Sequence, residues 1–131
     1  MYELTIETVF AAAHAIVMNG QREPVHGHNW HVTACVAGDA LDSDGLLCDF
    51  HEVESALRHI TGGFHNKDLN ASPPFDKVNP TAELIARHIG EELARHIPAR
   101  SAAGNAARAR GVRVAWIRVT EAPGCAAIWK P

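Results

Sequence analysis

Two histidines separated by one glycine, His26-Gly27-His28, open an alternating run of residues, and a third, His14, ends the alternating run before it. Residues i and i+2 of a β-strand face the same side. His26 and His28 therefore present both imidazoles to one face, and the glycine between them lets another group approach closely. Two such imidazoles are half of a metal site. If the two strands pair across their short connection, His14 reaches the same point and completes a set of three nitrogen donors. Three nitrogens and one open position is the arrangement of catalytic rather than structural zinc, because the vacancy takes water or substrate. A His-x-His pair on a strand is also an ordinary surface arrangement, so the pair alone leaves metal binding open.

Strands must carry these side chains. Tyr2, Leu4, Ile6, Phe10, Ala12 and His14 fall at alternate positions, the period of a strand with one buried face. Met18 to Pro24 is turn-like. His28, Trp30, Val32, Ala34 and Val36 then alternate within a second strand, His26 to Gly38, antiparallel to the first. Gly38 to Gly45 reads as a loop, and Asp49, with Glu52 three residues on, reads as a helix cap. Phe50, Val53, Ala56, Leu57 and Ile60 share one face of that helix, which Gly62-Gly63 ends.

A proline-rich loop through Pro73-Pro74 leads to Asn79-Pro80, read as the cap and first turn of a second amphipathic helix that stops at Pro98. Residues 99–110, rich in Ala, Arg and Gly, read as a loop or a frayed helical extension and receive no function. Alternation returns in Val112, Val114, Trp116 and in Ile117, Val119, and the Pro123-Gly124 turn lets Ala126 to Trp129 pair back as a hairpin. Strands separated by two helices, without βαβ alternation, predict one α+β domain over residues 1–131. Its antiparallel sheet has about four strands, with both helices on one face.

With 131 residues, 47% of them apolar, the chain can bury a core. The net charge is −3, like charges form no run, and no Lys/Arg cluster alternates with aromatics, which argues against a nucleic-acid partner. The first residues alternate from the start and no apolar run is long enough for a bilayer, so no membrane association is expected and the chain reads as soluble and cytoplasmic. Cys35, Cys48 and Cys125 are odd in number and widely spaced, as reduced, buried thiols would be. His51, His59, His88 and His96 lie in helical stretches and read as partly exposed surface residues.

The order of motifs resembles the 6-pyruvoyltetrahydropterin and 6-carboxytetrahydropterin synthase family across almost the whole chain. Phe10-x-Ala12-x-His14, His26-Gly27-His28-Asn29-Trp30, Gly45, Asp49-Phe50, Leu69-Asn70, Asn79-Pro80-Thr81-Ala82-Glu83 and Val119-Thr120-Glu121 all stand in that family's order. The resemblance implies a tunnelling fold (T-fold), in which copies of the subunit close their sheets into a barrel with active sites at subunit interfaces. It thus implies a homo-oligomer, hexameric or otherwise built on trimers.

It further implies that His14, His26 and His28 bind Zn2+, that Glu121 anchors the pterin ring, and that Thr81 lies near the pterin pocket, a position equally suited to a helix terminus. A carboxylate can accept both the 2-amino and the N3 protons of a pterin as a bidentate pair. Asp49 reads as a cap rather than a catalyst. The implied substrate is 7,8-dihydroneopterin triphosphate, whose side-chain hydroxyls become more acidic at zinc, so that a general base and a proton relay are needed.

Two departures bear on the reaction. The cysteine that serves as base in the best-known members is replaced by Arg22, and Glu23, three residues before His26, resembles a subgroup with glutamate in its place that forms 6-hydroxymethyl-7,8-dihydropterin. The family's Asp-His relay falls on His65-Asn66. A shift of one residue would make His65 the relay, oriented by Asp68. The expected activity is a zinc-dependent lyase on dihydroneopterin triphosphate, with the hydroxymethyl-pterin reaction, for folate synthesis, and a non-catalytic zinc- and pterin-binding protein as alternatives.

Overall fold

A computed structural model describes residues 1–97 and 110–131. Strand β1 (Tyr2–His14) is followed by a short hairpin of β2 (Val17–Met18) and β3 (Gln21–Arg22), then β4 (His26–Gly38). Helix α1 (Phe50–Gly62), a two-residue strand β5 (Lys67–Asp68), helix α2 (Ala82–His96), β6 (Arg113–Ala122) and β7 (Cys125–Trp129) complete the order. The main sheet runs β5-β1-β4-β6-β7. It has five strands rather than four, because Lys67 and Asp68 add a parallel edge beside Ala12 and Ala13. Apart from Arg110, the Ala/Arg/Gly-rich stretch expected at 99–110 lies outside the described residues.

Strands β1 and β4 pair antiparallel along their whole length, with His14 opposite His26 and Ala12 opposite His28. One face of the sheet carries Ile6, Phe10, Trp30, Val32, Ile117 and Val119, all buried, and both helices pack there, α1 on β1 and α2 on β6 and β7. Each large apolar side chain so buried contributes roughly 1.5–3 kcal/mol. The strict alternation expected in β6 is broken. Val36 pairs with Val114 but Cys35 with Trp116, leaving Ala115 as an extra residue. That bulge moves the inward positions from the even residues Val112 and Val114 to the odd residues Ile117 and Val119.

The helix ends follow local chemistry, with two corrections. Asp49 caps α1 by accepting the His51 N–H at 2.8 Å, but Phe50 is exposed rather than on the buried face. The cap of α2 is Thr81, whose hydroxyl accepts the Leu84 N–H at 3.3 Å, not Asn79. The Asn79 side chain bonds instead to the backbone of Val17. Among the described residues no helix is long and apolar enough to cross a membrane. The three cysteines are free, and of them Cys125 is exposed.

Candidate metal centre

The pairing of β1 with β4 brings His14, His26 and His28 to one corner of the helix-covered face. Their ring centroids lie 4.7–5.2 Å apart and the rings are nearly perpendicular to one another, at 68–89°. His14 is 1% exposed, with its ring edge-on to Trp30 at 4.8 Å. The Trp30 indole is held in turn by donating to the Ala12 carbonyl at 3.1 Å.

Two of the three rings are oriented through their second nitrogen. His14 Nδ1 donates to the Pro80 carbonyl at 2.8 Å and His26 Nδ1 to the Pro24 carbonyl at 2.9 Å. In a neutral imidazole this leaves the Nε2 lone pair free and aimed, which is the usual second-sphere arrangement of a metal-binding histidine. These carbonyls escaped sequence reasoning, because every residue has one and only the packing selects which is used.

Glu121 joins the same corner. One donor atom from each of His14, His26, His28 and Glu121 can be chosen so that all lie within 4.8 Å of one another. Its Oε1 is 2.9 Å from His14 Nε2 and 3.3 Å from His28 Nε2, yet both Nε2 atoms are buried without a hydrogen-bond partner. The Glu121 oxygen thus faces the Nε2 lone pair of His14 and the Nε2 of His28, and a divalent cation bound by the rings would bring these electron-rich atoms together favourably. The residues therefore fit zinc. Burial lowers the His28 pKa below its ordinary value, opposed by the charge of Glu121, which favours the neutral ring that a metal requires.

The role in gripping the pterin edge expected for Glu121 thus competes with a second use of the same carboxylate. The reason is local. Thr120 pairs with Ala126 and Ala122 with Cys125, so Glu121 is the unpaired residue of a bulge. It follows Ile117 and Val119 onto the face that carries the histidines.

Glu23 lies at the edge of this cluster, with its Oε1 3.8 Å from His26 Nε2 and its side chain 27% exposed. The same oxygen accepts the Ile16 N–H at 3.0 Å. His65 is elsewhere. Its Nδ1 accepts the Ala11 N–H at 3.1 Å at the outer edge of β1, with that strand between it and His28. The Asp68 carboxylate accepts the Asn70 N–H at 2.9 Å, and no hydrogen bond joins it to His65 among the described residues. The Thr81 hydroxyl is engaged in capping α2, which is the helix-terminus use of that position.

Among the described residues no cysteine joins the cluster. Arg22 occupies the expected cysteine position, and the Cys35 thiol is pushed up to about 11 by burial, with Glu3 adding to the effect.

Two clefts meet at Gly27-His28-Asn29. One, of ≈ 710 Å³, continues along His31, Arg118, Thr120 and Glu121. The other, of ≈ 620 Å³, runs past Ala11–Ala13 to Asn66–Asp68. Both are of a size to hold a small organic ligand. Gly27 lines both, and a Cβ there would meet no protein atom within 4 Å.

Fold and site together define an α+β architecture whose paired strands end in a three-histidine, one-carboxylate cluster able to hold a metal ion. Comparison with known proteins makes the class specific. The family described as 6-pyruvoyl tetrahydropterin synthase matches residues 3–131, and the chain belongs to that family.

A similar relative is the 6-carboxy-5,6,7,8-tetrahydropterin synthase of Bacillus subtilis, 31% identical over 98 residues, which are 70% of this chain and 65% of the relative's length. The dihydroneopterin monophosphate aldolase of Pyrococcus furiosus is 28% identical over 89 residues, 68% of this chain and 72% of that one. Among solved structures, the 6-pyruvoyl tetrahydropterin synthase of Plasmodium vivax superposes with a TM-score of 0.79 at 20% identity, covering 99% of this chain and 97% of the other. That Plasmodium protein has also been solved with a catalytic glutamate replaced by alanine or by cysteine.

Proposed function

We propose that the chain is a zinc-dependent lyase acting on 7,8-dihydroneopterin triphosphate, of the 6-carboxytetrahydropterin or 6-pyruvoyltetrahydropterin synthase type. The observation that carries this reading is the convergence of His14, His26 and His28, with two rings oriented by carbonyls and two Nε2 atoms buried without a partner. Zinc held by these three residues would supply a Lewis acid that makes a neighbouring hydroxyl more acidic. The clefts on either side of His28 hold the pterin.

Glu23 is the proposed proton acceptor. Its carboxylate is held by a backbone N–H within reach of the histidine cluster, and Arg22 offers no thiol in its place. His65, at the outer edge of β1, serves as relay only for the site of an adjacent subunit, so its role requires the homo-oligomer. The open edges of the sheet support such an assembly. Among the described residues the outer edge of β1 has no partner strand beyond Ala12 and Ala13, and β7 ends the sheet on the other side.

Glu23 also favours a second reading, cleavage of the pterin side chain to 6-hydroxymethyl-7,8-dihydropterin. A glutamate is the catalytic residue named for the Plasmodium vivax protein, and the Pyrococcus furiosus relative is an aldolase. One experiment separates the readings: incubate the zinc-loaded protein with 7,8-dihydroneopterin triphosphate and, separately, the monophosphate, and identify the products by mass. A carboxy or pyruvoyl product upholds the first reading and a hydroxymethyl product the second. Tight pterin binding without turnover would overturn both.

A further inference from the structure

After His14, the last residue of β1, the chain runs through Ala15 and Ile16, which belong to no strand, to Val17 in β2. These three residues are each gripped twice, through N–H and through C=O. The Ala15 N–H donates to Asn70 Oδ1 at 2.7 Å, and Asn70 Nδ2 donates back to the Ala15 carbonyl at 2.8 Å. The Val17 N–H donates to Asn79 Oδ1 at 2.9 Å, and Asn79 Nδ2 returns a bond to the Val17 carbonyl at 3.0 Å. Between them, the Ile16 N–H donates to Glu23 Oε1 at 3.0 Å and the Ile16 carbonyl accepts the Glu23 N–H at 3.1 Å.

A side-chain amide that accepts from the N–H and donates to the C=O of one residue does what a residue of a neighbouring strand would do. Backbone groups of an extended chain alternate in direction. Ala15 and Val17 therefore turn to one edge, where the two asparagines stand, and Ile16 turns to the other, where Glu23 stands.

Both asparagines are themselves fixed. Asn70 belongs to the short 3-10 turn Leu69–Ala71, anchored by fully buried Leu69, and its N–H is held by Asp68. Asn79 precedes Pro80, whose carbonyl orients His14, and Thr81, which caps α2.

We propose that Asn70 and Asn79 are positioning residues. Acting as substitute strand partners, they hold residues 15–17 extended, so that His14 enters the metal cluster at a fixed angle and Glu23, bonded to the opposite edge of the same segment, stands beside His26. As far as turnover is concerned, this assignment rests on the function proposed above. Its structural content does not.

The test uses the variants Asn70→Ala, Asn79→Ala and Asn79→Asp, the last retaining an acceptor for the Val17 N–H but no donor for its carbonyl. Zinc affinity is read by competition with a chromophoric chelator, and amide exchange of residues 15–17 by NMR on the metal-free protein. Both alanine variants are expected to weaken zinc by about tenfold, the lower end of the effect of removing a group bonded directly to a metal ligand, because the asparagines act on the ligand through the backbone. Ile16, whose N–H and C=O bond to Glu23 rather than to either asparagine, should exchange faster in both, and Asn79→Asp should recover part of each loss.

A lowered melting temperature with unchanged zinc affinity and unchanged Ile16 exchange would make the asparagines plain structural residues and overturn the proposal. If Asn79→Ala does not fold, Asn70→Ala and Asn79→Asp decide by the same readouts. If the wild type turns over no pterin, the proposed function falls while zinc affinity and exchange still judge the clamp.

Discussion

Replacing His28 by alanine separates metal binding from folding, because the structure gives this ring little to do except hold a ligand. Unlike His14 and His26, it makes no hydrogen bond from either nitrogen among the described residues, where its buried Nε2 has no partner. An unsatisfied buried polar atom costs roughly 1–3 kcal/mol, so its removal relieves about as much as the lost packing against Trp30 takes away. The metal-free variant should melt within a few degrees of the metal-free wild type.

Metal affinity should behave differently. A four-ligand zinc site is worth about 10–16 kcal/mol, or roughly 2.5–4 kcal/mol for each ligand, and about 1.4 kcal/mol is a factor of ten. His28→Ala should therefore raise the zinc dissociation constant by about 10²- to 10³-fold, measured by chelator competition, with both melting curves recorded by calorimetry. A dissociation constant within about threefold of wild type would refute the three-imidazole assignment. Collapse of the metal-free variant would refute the claim that the ring is dispensable to the fold.

The same substitution has a pH signature. Burial depresses the folded-state pKa of His28, so its contribution to stability is present above the ordinary histidine value of about 6.5 and is lost as pH falls through the lowered value. Metal-free His28→Ala should lack that part of the acid destabilisation.

Glu23→Gln should cut turnover by about 10²- to 10⁴-fold while zinc remains bound, and near-normal turnover would remove Glu23 from the mechanism. Glu121→Gln should weaken zinc by about tenfold or more, since the carboxylate lies against two ligand atoms; unchanged zinc affinity with a raised KM would return the residue to gripping the pterin. Gly90→Ala places a methyl group against the Trp129 ring and Ile117, and overpacking of about 1–3 kcal/mol should outweigh the roughly 1 kcal/mol gained in helix propensity. A melting temperature equal to or above wild type would show that β7 yields freely. Light scattering at micromolar concentration should find an oligomer, and a strict monomer would contradict the barrel assembly.

The period-two patterns of Tyr2–His14 and His26–Gly38 were legible in the sequence, because alternation records which face of a strand is buried, and so was the placing of His26 and His28 on one face. The cap at Asp49 and the stop at Gly62-Gly63 were legible for the same reason: each depends on residues within one turn of helix. Sequence order also carried the family, since its motifs recur at the right intervals. What only the tertiary structure decided lies where distant segments meet. The register that sets His14 opposite His26, the Pro80 carbonyl that aims the His14 ring, and the bulge at Ala115 that turns the odd residues of β6 inward all depend on contacts between separate elements of the chain. Asn79 makes the point most directly. Its type and its place before a proline suited a helix cap, but a side-chain amide bonds to whatever backbone the fold brings within 3 Å, and that was Val17, 62 residues away.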